Sequence, residues 1–421
     1  MRNANRRQAA NVLPAADTGR PESAGRNPLR GKRGTVALGI AAGVAVAVAA
    51  PATAFAASSS GYGPAHASPV VGHVYVNDNT RGVNTIAGFD RHANGSLTPE
   101  PGSPFRAGGA GTGAELASQG SVQIAPGGRF LLAADAGSNQ VSVLRIRQNG
   151  SLQLVPHGVT ASGGHLPVSI AVHGDLVYVA NSGSGDSNFT GFRLGRSGQL
   201  SPVRGSTVRL PGSAQPGDVL FNGTGTRLVG TLVGTSKIAS FTVGASGRLT
   251  AAPGSPFTAQ GLGPFGSEFR PTDPSQLFVS NAHNVGAGTG TVSAFRDSRG
   301  GVLTSIGSSP FADQQTAPCW VEISHDGRYL FTVNTGSGNI SRYAITPGGT
   351  LVLLGTTPIK GAGGAGAVDA RLSPDGRTLY VNESEGNVVG AFAVHGGSLT
   401  ELPSSPVALP AGATAAGMAV S

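Results

Sequence analysis

The chain has 421 residues, of which 67 are glycine and only 12% are charged. This composition favours an all-β architecture with many tight turns and excludes a helical bundle, because no long apolar pattern of helical period occurs outside the N-terminal region. The formal net charge is +8, but +6 of it (eight basic minus two acidic residues) lies in residues 1–56, so the rest of the chain gives no support to nucleic-acid binding.

Residues 1–56 have the pattern of a secretory signal segment. Eight basic residues precede an unbroken run of small apolar residues at Val36–Ala50, and the cleavage-like triplet Ala54-Phe55-Ala56 follows. The run is too short and wrongly flanked for a membrane span, so we predict a secreted or extracytoplasmic protein with no membrane span after processing. A retained N-terminal anchor is the alternative. We predict that residues 57–68 form a flexible linker.

A short motif, glycine followed two positions later by leucine, recurs along the rest of the chain. It occurs seven times, with leucine-to-leucine spacings of 48 to 55 residues. The copies begin at Gly95, Gly150, Gly198, Gly247, Gly301, Gly349 and Gly397. A period in this range is typical of β-propeller blades. The sequence therefore predicts an all-β, seven-bladed β-propeller.

The clearest single repeat, at residues 368–406, shows what each blade contains. Four runs of β-branched or aromatic residues occur at Val368–Leu372, Arg377–Asn382, Val388–Val394 and Leu399–Leu402. Turn-forming residues, such as the Pro-Asp-Gly that ends at Gly376, separate the runs. We therefore predict blades of four antiparallel strands.

The two ends of the repeat region complement each other. Gly72–Asn77 matches the second strand of the repeat, and no innermost strand precedes it, whereas Ala415–Ser421 matches an innermost strand with nothing after it. We predict that the C-terminal strand completes the first blade and closes the ring, so that residues 69–421 form one monomeric domain without exposed sheet edges.

Two copies of the turn between the first and second strands carry a family resemblance. The segments Ile323–Phe331 (Ile-Ser-His-Asp-Gly-Arg-Tyr-Leu-Phe) and Leu372–Tyr380 (Leu-Ser-Pro-Asp-Gly-Arg-Thr-Leu-Tyr) resemble the seven-bladed β-propeller lactonase family. That family includes a bacterial 6-phosphogluconolactonase and fungal carboxymuconate-lactonising enzymes. The resemblance implies a small-molecule lactone or sugar-like ligand, of gluconate or muconate type, that is hydrolysed or formed without a cofactor.

The residues that the resemblance implies for catalysis are absent from their expected positions. Family members carry His, Arg and Glu at the start of innermost strands. Here those positions hold Gln119–Ser121, Pro216–Asp218 and Pro318–Trp320, and Gly266 stands where the family has Glu. The resemblance therefore predicts the fold, while the catalytic residues have to be sought elsewhere in the chain.

Charged residues on the innermost strands are the next candidates for a site. Opening a lactone needs a base that positions a water molecule and a donor for the developing oxyanion. Asp218 or Glu268 is the candidate base, and Arg371 or His165 the candidate donor. The candidate ligand-contacting residues are Ser121, His165, Trp320, Glu322 and Asp369. The alternative is that these groups line a water-filled channel, with Arg371 paired to Glu322, and that Trp320 only packs against its own or a neighbouring blade.

Two functions of different class remain open at this point. One is an exported lactone hydrolase or lactonising enzyme, and the other is a non-catalytic secreted propeller that binds a ligand, glycan or protein through its channel face. The sequence contains no His/Cys metal-binding spacing, no nucleophile elbow and no phosphate-binding loop, so no metal site and no nucleotide cofactor are predicted.

Overall fold

The computed structural model describes residues 68–116, 118–360 and 366–421 of the chain. The predicted signal segment and residues 57–67 of the predicted linker lie outside the described residues. Nearly all regular structure in the described residues is β, and its one helix is a single 3-10 turn at Val233–Thr235. No helix in this part of the chain has the length and apolar character needed to cross a membrane.

The strands form seven separate antiparallel sheets, which we number as blades in chain order. Blade 1 contains β1 (Val70–Asn77), β2 (Gly82–His92), β3 (Leu97–Pro99), β4 (Phe105–Gly111) and β33 (Gly417–Val420). Blade 2 contains β5 (Val122–Ile124), β6 (Phe130–Asp135), β7 (Gln140–Ile146) and β8 (Leu152–Ala161). Blade 3 contains β9 (Pro167–His173), β10 (Leu176–Asn181), β11 (Asn188–Leu194), β12 (Leu200–Pro202) and β13 (Val208–Arg209). Blade 4 contains β14 (Pro216–Phe221), β15 (Arg227–Leu232), β16 (Lys237–Val243), β17 (Leu249–Ala251) and β18 (Phe257–Thr258).

The remaining three blades repeat the pattern. Blade 5 contains β19 (Pro264–Arg270), β20 (Asp273–Asn281), β21 (Thr291–Asp297), β22 (Leu303–Ser305) and β23 (Phe311–Ala312). Blade 6 contains β24 (Pro318–Ile323), β25 (Tyr329–Asn334), β26 (Asn339–Ile345) and β27 (Leu351–Pro358). Blade 7 contains β28 (Ala367–Leu372), β29 (Thr378–Glu383), β30 (Val388–His395), β31 (Ser398–Glu401) and β32 (Val407–Ala408).

The ring closes as predicted, through the C-terminal strand. β33 pairs with β1 in antiparallel register, from Val74 opposite Val420 to Asn77 opposite Gly417. The innermost strands of the seven blades contact one another in an unbroken cycle that includes β28 to β33 and β33 to β5. The prediction of a seven-bladed propeller is therefore confirmed, and the first and last strands of the described residues, β1 and β33, share one sheet.

The outer edge of most blades differs from the predicted single fourth strand. In five blades the edge strand is broken in two, and both halves pair with the third strand, as β3 and β4 do with β2. The break falls at a serine whose hydroxyl oxygen accepts the backbone N–H of the third strand, as Ser103 does from Gly88 at 2.8 Å. The serine side chain thus replaces a ladder hydrogen bond where the backbone turns away.

The glycine of the Gly-x-Leu motif accepts hydrogen bonds that join neighbouring blades. In three blades, a tyrosine of the second strand donates its hydroxyl proton to the carbonyl oxygen of the Gly-x-Leu glycine in the next blade. These bonds join Tyr75 to Gly150 (2.6 Å), Tyr178 to Gly247 (2.7 Å) and Tyr380 to Gly95 (3.0 Å). Apolar side chains fill the space between sheets, so that Phe130 of blade 2 shares one buried cluster with Phe192 of blade 3. Packing of each blade on the next therefore supplies most of the core.

Candidate functional site

The predicted site residues of the inner strands form a charged layer inside the channel. Asp218 of β14 is buried, and both of its carboxylate oxygens accept hydrogen bonds. Ser169 of blade 3 donates to Oδ1 at 3.2 Å, and the hydroxyl group of Ser267 in blade 5 donates to Oδ2 at 2.6 Å. The carboxylate thus joins three consecutive blades and has little capacity left to activate a water molecule.

A second carboxylate lies in the same layer on the other side of the ring. Asp369 of β28 accepts the backbone N–H of Met418 in β33 at 2.9 Å, and it lies 3.2 Å from Nη1 of Arg371. The same Nη1 lies 3.5 Å from Oε2 of Glu322 in blade 6, the pairing considered from the sequence. Arg371 therefore links Glu322 and Asp369 as an ion-pair triad across blades 6 and 7.

Burial dominates the ionisation of this cluster. It raises the pKa of Asp218 to about 6 and that of Glu322 to about 7. Burial, and then repulsion from Glu322, raise the pKa of Glu268 well above its usual value. Burial alone would lower the pKa of Arg371, but the carboxylates of Asp369 and Glu322 outweigh it and raise that pKa, so Arg371 is the fixed positive charge of the channel.

The segment that connects blades 1 and 2 closes one end of this channel. The backbone N–H of Gln119 donates to the carbonyl oxygen of Gly217 in blade 4 at 2.9 Å. On the other side its amide group contacts Val321 in blade 6, with the carbonyl oxygen of Val321 3.4 Å from Nε2. The carbonyl oxygen of Ser118 accepts the indole N–H of Trp320 at 3.0 Å. Ser118 and Gln119 thus span the ring, and we call these two residues the plug.

The plug explains the glycine found where the family resemblance implies glutamate. A Cβ on Gly266 would lie 2.1 Å from Oε1 of Gln119, so any larger side chain there would collide with the plug. Trp320 lies beneath the plug and packs on Phe265, with ring centroids 5.2 Å apart. Only 1% of its surface is exposed. No face of Trp320 is therefore free for a ligand, and the residue packs against a neighbouring blade, which is the alternative considered from the sequence.

Ser121, two residues after Gln119, is also fully buried. The predicted site residues therefore separate into two groups. Ser121, Asp218, Glu268, Trp320, Glu322, Asp369 and Arg371 belong to the channel, whereas His165 lies apart from them.

His165 lines a surface cavity of about 740 Å³ between blades 2 and 3. The walls come from the turns that join strands two and three of each blade, from the connection between the blades and from β13. Polar residues Asn139, Asn188, Thr207 and Arg209 share the lining with His165. A volume of this size is typical of small-molecule sites.

The imidazole ring of His165 is held by a carboxylate. Nδ1 of His165 and Oδ2 of Asp186 form a short contact, and the two side chains are 66% and 46% exposed. Backbone hydrogen bonds fix the distance between the two segments, because Gly183 donates to the carbonyl oxygen of His165 at 2.9 Å. Leu166, the next residue, donates its N–H to Oδ1 of Asn139 at 2.8 Å. Hydrogen bonds to loops of blades 2 and 3 therefore hold the His165–Asp186 pair in place.

This arrangement suits general-base chemistry. A carboxylate on Nδ1 keeps the proton on that nitrogen and leaves Nε2 as the basic atom. Arg209 supplies a positive charge in the same cavity. The sequence indicated His165 but not Asp186 or Arg209. The signal for Asp186 was the polar turn Ser182–Asp186, which joins the second and third strands of blade 3. Such turns lie on the same face of the ring as the connections between blades, where His165 is found.

The model of the family described as "Lactonase, 7-bladed beta-propeller" matches residues 52–221 and 270–365, more than half of the chain. No curated protein matches it in sequence.

Solved structures share the fold at low sequence identity. A candidate 6-phosphogluconolactonase from Bacteroides uniformis superposes with a TM-score of 0.67 at 19% identity, covering 84% of this chain and 100% of that one. The periplasmic gluconolactonase PpgL of Pseudomonas aeruginosa gives a TM-score of 0.63 at 19% identity, covering 83% and 98%. A protein from Lactobacillus plantarum gives 0.66 at 18% identity, covering 83% and 99%. The family match, together with the seven-bladed ring, shows that this chain belongs to the seven-bladed β-propeller lactonase family.

Proposed function

We propose that the protein hydrolyses a small sugar-type lactone in the cavity between blades 2 and 3, with His165 as the general base. The observation that carries this proposal is the contact of His165 with Asp186 inside a cavity of about 740 Å³. Both groups are accessible to substrate and water, whereas the carboxylates of Asp218 and Asp369 in the channel are buried. The structures of a gluconolactonase and a candidate 6-phosphogluconolactonase, which share the fold, support a sugar lactone as the substrate class.

The reaction needs no group beyond those that line the cavity. Nε2 of His165 takes a proton from water as the water oxygen attacks the lactone carbonyl carbon. The guanidinium group of Arg209 stabilises the negative charge that develops on the carbonyl oxygen. When the intermediate collapses, the ring C–O bond breaks and the departing alkoxide takes the proton from the imidazolium. One water molecule is consumed, and the product is a hydroxy acid.

Proton release from glucono-δ-lactone, added to the purified full chain, tests the proposal. His165→Gln is expected to lower kcat/KM by roughly 100-fold or more, because loss of a general base typically costs that much. Asp186→Asn is expected to lower it by at least about tenfold through loss of the ring orientation. The matched control is His325→Gln, which removes an exposed histidine from a turn of blade 6 and should leave the rate unchanged.

The variant Glu268→Gln tests whether hydrolysis takes place in the channel instead of the His165 cavity. If that substitution abolishes hydrolysis while His165→Gln leaves it intact, the reaction takes place in the channel and the proposal fails. A chain that binds the lactone without turnover, measured by calorimetry, would support the non-catalytic function and would also overturn the proposal.

We further propose that residues 1–56 export the protein across the cytoplasmic membrane. The support is the order of basic residues, apolar run and Ala-Phe-Ala triplet in the sequence. Expression of the full chain in a bacterium, followed by fractionation and N-terminal sequencing, is expected to give an extracytoplasmic protein that begins near Ala57. Recovery of the uncleaved chain in the cytoplasm would contradict this proposal.

A further inference from the structure

Three potential metal ligands of blade 1 lie together in the cleft beside blade 2, on the face of the ring opposite the His165 cavity. They are His73 on β1, Asp90 on β2 and Glu100 directly after β3. One ligand atom from each of the three side chains lies within 4.8 Å of the other two. We call these three residues the His73 cluster.

Strand register brings the cluster together from three parts of the blade. His73 and Asp90 are direct partners across β1 and β2, and Nδ1 of His73 lies 3.2 Å from Oδ1 of Asp90. The backbone N–H of Glu100 donates to the carbonyl oxygen of Gly88 at 2.9 Å, which sets Glu100 two positions along the sheet from Asp90. Residues two apart on a strand point to the same face, so all three side chains share one side of the blade.

A glycine makes room for the glutamate. A Cβ on Gly88 would lie 3.0 Å from Oε2 of Glu100 and 2.8 Å from the ring of Phe105. Only a residue without a side chain therefore leaves the Glu100 carboxylate its place in the sheet. The position of this carboxylate is determined by the local packing.

The environment of Glu100 points to a missing positive partner. Glu100 is only 3% exposed, and neither carboxylate oxygen has a hydrogen-bond donor among the described residues. Nδ1 of His73 likewise has no well-aligned donor or acceptor, since its contact with Asp90 is close but poorly directed. A buried carboxylate without a partner is strongly unfavourable, and a bound cation removes that penalty.

A path from solvent reaches the cluster. A surface cavity of about 570 Å³ is lined by His73 and Asp90 on one side and by Gln148 and Asn149 of blade 2 on the other. A cation could enter there, and water molecules could complete its coordination from the same side. Imidazole nitrogen with two carboxylates is a donor set for first-row transition metals, whereas Ca²⁺ and Mg²⁺ prefer oxygen ligands alone.

We propose that His73, Asp90 and Glu100 bind one divalent transition-metal cation of the Zn²⁺ class. Ligand atoms on a tetrahedral zinc ion lie roughly 3.4 Å apart, so small side-chain rotations bring the three atoms to coordinating distance. The cation would clamp the second, third and fourth strands of the blade that closes the ring. This site is independent of the proposed lactone chemistry.

The test uses the purified full chain after treatment with a chelator. One equivalent of Zn²⁺ is added, unbound metal is removed by desalting, and bound metal and Tm are measured. We expect about one zinc ion per chain and a higher Tm, because a ligand that binds only the folded state stabilises it. Glu100→Gln and His73→Gln should each weaken zinc binding by at least about 100-fold. Loss of a residue that only supports a metal ligand typically costs roughly 10- to 100-fold in affinity, and loss of a direct ligand should cost at least the upper value.

Two control variants make the result specific. Glu383→Gln changes another fully buried glutamate whose oxygens have no donor among the described residues, and it should bind zinc as the wild type does. His165→Gln removes the exposed histidine that contacts Asp186 and should also leave zinc binding unchanged. The proposal is overturned if the wild type retains no zinc, if both cluster variants bind it normally, or if Ca²⁺ or Mg²⁺ raises the Tm as much as Zn²⁺ does.

Discussion

The hydroxyl group of Tyr380 in blade 7 donates a 3.0 Å hydrogen bond to the carbonyl oxygen of Gly95 in blade 1. The two residues are 285 positions apart in the chain, and Gly95 begins the first Gly-x-Leu motif. The bond joins the last complete repeat to the first, so the contact made between neighbouring blades elsewhere also operates at the closure of the ring.

Tyr380→Phe should therefore weaken the closure without changing the fold. The substitution removes the donor and leaves a buried carbonyl oxygen unpaired, which typically costs about 1–2 kcal/mol. Urea unfolding of the full chain measures this loss as a lower midpoint at unchanged slope. Tyr329→Phe, at a partly exposed tyrosine of blade 6, is the control and should change the midpoint little. Equal effects of both substitutions would contradict this role for Tyr380.

Removal of residues 415–421 should destabilise the whole ring rather than one blade. The deletion takes away β33, which pairs with β1 and supplies the Met418 N–H that Asp369 accepts. We expect the Tm to fall by more than about 5 °C, because a strand's worth of buried contacts is lost and an inner edge is exposed. Met418→Leu keeps the strand and should cost less than about 1.5 kcal/mol. A truncated chain that melts at the full-length temperature would refute closure by this strand.

Trp320 reports on the plug, because it is the single tryptophan of the chain. Its indole N–H donates to Ser118, and it is shielded from solvent in the intact protein. We expect blue-shifted fluorescence that acrylamide quenches weakly, and stronger quenching in Gln119→Ala, since that variant loses the contacts of the Gln119 side chain with Val321. Gln123→Ala, in the first blade-2 strand below the plug, is the control. Unchanged quenching in Gln119→Ala would mean that the plug does not cover the channel.

Arg371→Met should destabilise the protein in a pH-dependent way. The folded pKa values of about 6 for Asp218 and about 7 for Glu322 lie above their unfolded values, so the folded state binds more protons between about pH 4 and pH 7. The unfolding free energy therefore decreases as the pH rises through this window. Loss of Arg371 raises these pKa values further, and we expect a cost of about 3–5 kcal/mol at pH 8.

At pH 5 the same substitution should cost clearly less, because the carboxyl groups of Asp218 and Glu322 are then largely protonated and need no positive partner. Thermal or urea unfolding at both pH values measures the difference. Arg193→Met, which removes an exposed ion pair with Asp175, should cost at most about 1 kcal/mol at either pH. An equal loss for Arg371→Met at pH 5 and pH 8 would show that its charge does not stabilise the cluster.

The sequence by itself determined the number of blades, their strand order and the closure of the ring. These features are local and repeated: each Gly-x-Leu turn and each alternating run specifies one hairpin, and seven copies leave one arrangement in which every inner strand has two neighbours. The unpaired second strand at Gly72–Asn77 and the unpaired inner strand near the C-terminus were sufficient to predict the shared sheet of blade 1.

The break in the outer strands, the plug and the grouping of polar residues were decided only by the tertiary structure. Gln119 reaches across the ring to residues about 100 and 200 positions away, and no local pattern encodes such a contact. The pairing of His165 with Asp186 likewise depends on how the connection between blades 2 and 3 approaches the turn between β10 and β11. Strand patterns set which face a side chain takes, but packing between blades sets whether that face meets solvent, a partner charge or another loop.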